Sequence, residues 1–175
     1  MQDPFLATLA ASFVNAASTL AVFPLIETTG RKKLLLSGTI GMAISGILLC
    51  YALLSENGTL AVMVVLAYIC FFEIGLGAVP WILGGECFPE NAKDSALASA
   101  SGLNWAANFC VGAFYPQMQA ALKSKSFLPF SVVLISATMV IWYFLPETKG
   151  RDAREIVEMM NSNKRDAIRF LYGMS

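Results

Sequence analysis

The chain has 175 residues, of which 57% are apolar and 14% charged, and its twelve basic residues are balanced by twelve acidic ones. About 25% charged residues are typical of a soluble domain, so an ordinary soluble enzyme is not expected. The zero net charge and the lack of a basic stripe argue against binding to nucleic acid, and the apolar content argues against disorder. The sequence contains no histidine, which excludes imidazole catalysis and histidine-ligated metal sites.

The cysteine spacing gives no support to a metal centre. Intervals of 20, 17 and 23 residues separate Cys50, Cys70, Cys87 and Cys110, and no CxxC motif occurs. Each cysteine lies in or beside an apolar run, where a free thiol behaves as a small buried hydrophobe. We therefore expect no metal, no cofactor and no catalytic residue.

Long uncharged segments are the main signal in the chain. Four of them hold no charge and a fifth holds only Glu73; they are residues 4–26, 34–55, 57–85, 95–122 and 126–146. A helix that crosses the hydrocarbon needs about 20 apolar residues. The pattern predicts an all-α membrane protein with five transmembrane helices, near residues 5–26, 34–54, 60–83, 97–121 and 127–145.

Lysines and arginines predict the orientation of these spans. Ten of the twelve lie between spans one and two, between spans three and four, or after span five. Cytoplasmic loops carry the excess of basic residues, so the N-terminus is predicted outside and the C-terminus in the cytoplasm. An odd number of spans with an outside N-terminus is unusual, and we expect a fragment of a larger multi-pass protein.

Glu73, in the middle of the third span, is a candidate functional residue. An acidic residue at the centre of a membrane helix costs about 2.5–3.5 kcal/mol on insertion scales, so it commonly marks a functional site. Gly77 and Trp81 follow at helical spacing, and Pro80 removes a backbone donor, which predicts a broken helix beside a polar cavity. The alternative is a buried carboxyl group that is hydrogen-bonded to a neighbouring helix.

Asparagines on two other spans suit a neutral ligand. Asn104 and Asn108 lie four residues apart on one face of the fourth span, next to Trp105. An amide both donates and accepts, and an indole can stack on the apolar face of a sugar, so these residues favour a polyhydroxylated ligand. Asparagines that merely join helices are the alternative. On the first span, a polar arc at i, i+3 and i+4 holds Asn15, Ser18 and Thr19.

Five motifs follow one another along the chain: ETTGRK at residues 27–32, FFEIG…VPW at 71–81, GECFP at 85–89, NWAANF at 104–109 and PETKGR at 146–151. In this order, they are similar to motifs of the sugar porters of the major facilitator superfamily. The resemblance covers nearly the whole chain and is to the C-terminal half of the family, which includes the facilitative glucose transporters. It implies helices eight to twelve of a twelve-helix major facilitator fold.

The resemblance also implies roles for individual residues. Positions that match the family's sugar site, its cavity wall included, are Asn15, Phe72, Glu73, Gly77, Trp81, Asn104 and Trp105. Positions that match a cytoplasmic salt-bridge network closing the outward-facing state are Glu27, Arg31, Glu86, Glu147 and Arg151. Lys93 stands where the network usually has an arginine, and Ala78 where the family usually has a proline. Ordinary loop charges are the alternative for the cytoplasmic set.

The function implied by the resemblance is facilitative transport of a hexose across the plasma membrane by alternating access. The partners expected are the sugar, the lipid bilayer and the missing N-terminal half of the transporter. Three alternatives stay open: a porter for a polyol or another small neutral solute, a non-transporting sugar sensor, and an inert truncated membrane protein. In this interpretation residues 1–148 form the bundle, and residues 149–175 form a cytoplasmic tail with a short amphipathic helix that packs under it.

Overall fold

The computed structural model describes the backbone of residues 4–172 and the side chains of that range except those of residues 4, 7 and 163–172. It is helical, and no strand occurs within the described range. The elements are α1 (Pro4–Thr29), α2 (Arg31–Leu54), α3 (Gly58–Phe72), a π-helical turn (Glu73–Gly77), α4 (Val79–Glu86), α5 (Glu90–Leu122), a 3₁₀ turn (Lys123–Lys125), α6 (Leu128–Phe144) and α7 (Ala153–Tyr172).

Local sequence signals explain several of these boundaries. Gly30, at φ 96°, separates α1 from α2. Asn57 caps α3, since its side-chain oxygen accepts from the backbone N–H of Leu60 at 3.0 Å. Pro89 has an extended backbone and precedes α5, while Pro80 lies in the first turn of α4, where the N–H that proline lacks has no helical partner.

Helix α2 is the centre of the bundle and packs against α3, the π-helical turn and α6. Its backbone lies close to that turn, because a Cβ on Gly38 would be only 2.5 Å from the Cα of Gly75. Small residues permit such an approach between membrane helices. A buried cluster of Val22, Ile26, Leu34, Leu35 and Val79 joins α1, α2 and α4.

Within the described range, three stretches are long and apolar enough to cross a membrane: Thr8–Thr29, Arg31–Leu54 and Gly58–Glu86. A fourth exists only if α5 and α6 count together as one broken span, with a bend of 94° between them. The predicted number of five spans is therefore not confirmed. The physical reason is that α6 has only 17 residues and that asparagines and serines lower the hydropathy of α5.

The tail carries a longer helix than the short one predicted, because α7 has 20 residues. Its Ile156 is fully buried, and α7 packs against α6. Met160 lies beside Leu145 in a groove that is otherwise lined by α2, α4, α6 and the π-helical turn. The described part of the tail therefore lies against the bundle.

Candidate functional site

A cavity of about 460 Å³ lies between the broken helix α3–α4 and helix α5. Four of the seven residues predicted to bind a ligand lie in its wall. The full lining is Phe72, Leu76, Gly77, Pro80, Trp81, Ala100, Asn104 and Asn108. The structure therefore brings together residues that are separated by more than twenty positions in the sequence.

The π-helical turn sets the direction of one wall. Such turns replace the usual i→i+4 bonding with i→i+5 bonding and are common at functional sites. Because the π-helical turn ends at Gly77 and α4 begins at Val79, Trp81 follows about one helical turn after Gly77 on the same face. The Trp81 indole and the Phe72 ring thereby line one cavity, and Gly77, which has no side chain, lines it with them.

Helix α5 supplies the opposite wall as a row of residues at four-residue spacing: Ala100, Asn104 and Asn108. The side-chain nitrogen of Asn108 donates to the backbone oxygen of Asn104 at 2.8 Å. This bond directs one N–H of Asn108 into its own helix and leaves its side-chain oxygen as an acceptor. The two amides thus offer the cavity both donors and acceptors.

The chemistry of the cavity favours a neutral, polar ligand with apolar faces. All eight lining side chains are uncharged, two are amides and two are aromatic. A slightly larger hollow of about 470 Å³ lies among α1, α2, α3 and Phe127, but Thr8 is the single polar residue in its described lining. We assign the ligand site to the first cavity because orientation of a ligand requires convergent polar groups.

Asn15 and Glu73, which the resemblance assigns to the sugar site, do not line this cavity in the structure. Asn15 Nδ2 instead donates to Glu73 Oε1 at 2.6 Å, and the Glu73 residue is only 8% exposed. The geometry corresponds to the alternative in which the carboxyl group is hydrogen-bonded to a neighbouring helix. The reason is the position of Glu73 at the start of the π-helical turn, from which its side chain reaches α1.

Trp105 is also absent from the cavity lining and is 70% exposed. Consecutive residues of a helix point about 100° apart, so Trp105 cannot share the face of Asn104. Sequence reasoning, in turn, missed Thr19, whose Oγ1 lies 3.0 Å from Glu73 Oε2. The polar arc on the first span was the signal for it, but nothing in the sequence says which helix that arc meets.

A polar cluster at the other end of the bundle joins α2, α4 and the segment after α6. Arg31 donates to Glu86 Oε1 from Nη2 at 2.7 Å and from Nε at 3.0 Å. Glu86 Oε2 accepts from Thr148 Oγ1 at 2.8 Å, and Thr148 is 1% exposed. Glu147 Oε1 accepts from the backbone N–H of Arg31 at 2.8 Å, which satisfies an unpaired donor at the start of α2.

Three predicted members lie outside this cluster. Lys93 contacts Glu90 at 3.9 Å in a surface i,i+3 pair, because both occupy the first turn of α5. Glu27 and Arg151 are exposed, and neither forms an ion pair with any residue that the structure describes. Thr148 is the member that sequence reasoning missed, although it lies within the PETKGR motif.

Cys87 follows Glu86 directly at the end of α4. Burial raises the pKa of the Cys87 thiol, and the negative charge of Glu86 raises it further. The thiolate is the reactive form, so this cysteine is a poor nucleophile at neutral pH. Among the described residues, no group of histidine, cysteine, aspartate and glutamate side chains could hold a metal ion.

Comparison with known proteins agrees with this architecture. The family model described as "Sugar (and other) transporter" matches residues 1–160. Facilitated glucose transporter member 3 of solute carrier family 2 is 34% identical in Rattus norvegicus, over 89% of this chain and 33% of the relative. The Homo sapiens protein of the same name is 33% identical over 97% of this chain and 35% of its own length.

Solved structures give the same result for the fold. The inward-open xylose transporter XylE from E. coli has a TM-score of 0.80 and 30% identity, over 90% of this chain and 35% of that one. The proton:xylose symporter XylE bound to 6-bromo-6-deoxy-D-glucose has a TM-score of 0.80 and 29% identity, over 89% of this chain and 34% of that one. The chain spans about a third of the length of the relatives it matches. It belongs to the sugar transporter family.

Proposed function

We propose that this chain is helices eight to twelve, in the C-terminal half, of a transporter for a neutral hexose, and that the sugar binds in the cavity between α4 and α5. One observation carries the proposal: in an uncharged cavity, two amides on α5 face an indole on the broken helix α3–α4. A sugar presents hydroxyl groups at its rim and C–H groups on its faces. Amides bind the hydroxyl groups, and aromatic rings cover the C–H groups.

The broken helix supports an alternating-access mechanism. In transporters of this kind, sites near the membrane midplane are formed at discontinuous helices, and one bundle rocks against the other. The Arg31–Glu86–Thr148 cluster would hold the cytoplasmic ends together in one state and release them in the other. In this proposal a complementary N-terminal bundle covers the open side of the cavity and supplies further sugar contacts.

The proposal includes five membrane crossings, with α5 and α6 as separate spans, the N-terminus outside and the C-terminus in the cytoplasm. The distribution of lysine and arginine supports this arrangement. The plasma membrane is the proposed location. Asn15 and Glu73 belong to the same proposed site, because Glu73 accepts from Asn15 and its Oε2 packs against Gly77 of the cavity wall.

A chimera tests the site: the chain replaces the matching third of the rat facilitated glucose transporter, and uptake of labelled glucose is measured in vesicles. Asn104→Ala should weaken sugar binding roughly fivefold to a hundredfold, because a buried polar partner left unpaired costs about 1–3 kcal/mol. Trp81→Ala should also weaken sugar binding, because the aromatic surface that covers the C–H face of the sugar is lost. Trp142→Ala and Asn91→Ala are matched controls at exposed positions outside the cavity lining.

Competition with unlabelled solutes separates a hexose porter from a polyol porter in the same preparation. Glucose should displace the label at lower concentration than sorbitol does. Uptake and affinity that are unchanged by both cavity substitutions would remove the site from this cavity. Preferential displacement by sorbitol would keep the cavity and change the substrate class to a polyol.

A further inference from the structure

The carboxylate of Glu73 is held by two side chains of α1. Oε1 accepts from Asn15 Nδ2 at 2.6 Å, and Oε2 lies 3.0 Å from Thr19 Oγ1. Asn15 and Thr19 are four residues apart and therefore share one face of the helix. Each carboxylate oxygen thus has its own donor, one from an amide and one from a hydroxyl.

The oxygen that Thr19 contacts is also the Glu73 oxygen that lies beside Gly77. Gly77 lines the cavity, and a Cβ on Gly77 would lie 2.8 Å from Glu73 Oε2. The missing side chain of Gly77 leaves an opening, and Glu73 Oε2 lies next to it. A hydroxyl group of a ligand in the cavity could donate to Oε2 through this opening.

Thr19 has a second acceptor within reach. Its Oγ1 lies 2.9 Å from the backbone oxygen of Asn15, as well as 3.0 Å from Glu73 Oε2. A hydroxyl group has a single proton to donate and rotates to direct it. Donation to Glu73 fixes Oε2 in place, whereas donation to the Asn15 carbonyl leaves Oε2 free to move.

We propose that Thr19 is a positioning residue of the sugar site: its hydroxyl holds Glu73 Oε2 at the opening left by Gly77, where a sugar hydroxyl can donate to it. The inference rests on the proposed function, because it needs a sugar in the α4–α5 cavity. It adds a residue of α1 that does not line the cavity, and it gives Glu73 a sugar-contacting role in its present position.

The experiment uses the same chimera and compares Thr19→Val, which removes the hydroxyl at nearly constant shape, with Thr19→Ser, which keeps it. Thr19→Val should weaken apparent sugar affinity about threefold to tenfold with a smaller change in maximal rate, because the sugar keeps its acceptor but loses the hydroxyl that holds this acceptor in place. Thr19→Ser should restore affinity to within about twofold. Thr28→Val is the matched control, since Thr28 Oγ1 contacts only carbonyls of its own helix.

A double-mutant cycle separates positioning from general destabilisation. If Thr19 acts through Glu73, Thr19→Val should have little further effect on affinity in a Glu73→Gln background, because coupled residues are not additive. An independent, additive loss would overturn the proposal, and so would normal affinity in Thr19→Val. If the valine variant does not reach the membrane, Thr19→Ala replaces it as a second hydroxyl-free variant. Normal affinity or an additive loss in that variant would likewise overturn the proposal.

The cavity variants distinguish this failure from failure of the proposed function. If Trp81→Ala and Asn104→Ala weaken sugar binding while Thr19→Val does not, the site stands and the positioning role is wrong. If all of these variants bind sugar normally, the sugar does not bind in the α4–α5 cavity, and that part of the proposed function is wrong. The proposal is supported only when the cavity variants, Thr19→Val and the cycle agree.

Discussion

Arg31 donates two hydrogen bonds to the same oxygen of Glu86, at 2.7 Å from Nη2 and 3.0 Å from Nε. The second carboxylate oxygen is thereby left for Thr148, whose hydroxyl lies 2.8 Å away. One glutamate at the end of α4 thus connects the start of α2 with the segment that follows α6. Both partners of the ion pair have mostly buried side chains, 16% and 23% exposed.

Removal of this pair should destabilise the fold measurably. Arg31→Ala leaves Glu86 without its cation, and hydrogen bonds to charged groups contribute about 1.5–3 kcal/mol to the free energy of unfolding. We expect a loss of this size, read from the midpoint of thermal unfolding in detergent. Lys93→Ala is the control, because its exposed contact with Glu90 at 3.9 Å should contribute less than about 1 kcal/mol. Equal losses in the two variants would contradict the assignment of the cluster.

Gly30 should tolerate no side chain, for two separable reasons. Its φ of 96° and ψ of 152° lie in a region that only glycine adopts readily, at a cost of about 1–3 kcal/mol for other residues. A Cβ there would also lie 2.6 Å from Glu147 Oε2. Gly30→Ala should therefore lower the free energy of unfolding by more than backbone strain alone accounts for.

Two other glycines calibrate that measurement. Gly150 has φ 70°, but a Cβ added there would meet no atom within 4 Å, so Gly150→Ala reports backbone strain without the clash. Gly58 has neither feature, so Gly58→Ala should be nearly neutral. The expected order of destabilisation is Gly30, then Gly150, then Gly58. A Gly150 variant as unstable as the Gly30 variant would show that contact with Glu147 is unimportant.

Cys87 should react slowly with alkylating reagents at neutral pH. Burial and then the charge of Glu86 raise the pKa of its thiol, so the thiolate is scarce until the pH exceeds the ordinary range for cysteine. The rate should rise with pH and reach half its maximum at a higher pH than for a cysteine introduced at exposed Asn91. Glu86→Gln should shift the Cys87 profile towards lower pH. Coincident profiles for the two positions would contradict the shift.

The proposed orientation is testable by cysteine labelling in intact cells, in a background without native cysteines. A cysteine at exposed Gly58, the first residue of α3, should react with a membrane-impermeant reagent. A cysteine at Asn91, between α4 and the apolar part of α5, should react only after the membrane is permeabilised. The reverse pattern would place the C-terminus outside and overturn the orientation.

The sequence by itself was sufficient to predict a helical membrane protein of this family. Uncharged runs longer than twenty residues can hardly be anything but membrane helices, and the five motifs are local patterns that need no three-dimensional information. The amide spacing of Asn104 and Asn108 likewise predicted a shared helix face, since helical periodicity is a property of the chain alone.

Only the tertiary structure decided which faces meet. Glu73 contacts Asn15 and Thr19 on α1 while its neighbour Phe72 lines the cavity, because one helix presents different faces to different partners. Trp105 is likewise excluded from the cavity, because it lies on a different face of α5 from Asn104. Lys93 pairs within its own helix rather than with the cytoplasmic cluster, since a long flexible side chain contacts the nearest opposite charge. The Lys93 pair and the exclusion of Trp105 follow from local helix geometry, whereas the contact of Glu73 with α1 depends on helix packing, which no local pattern encodes.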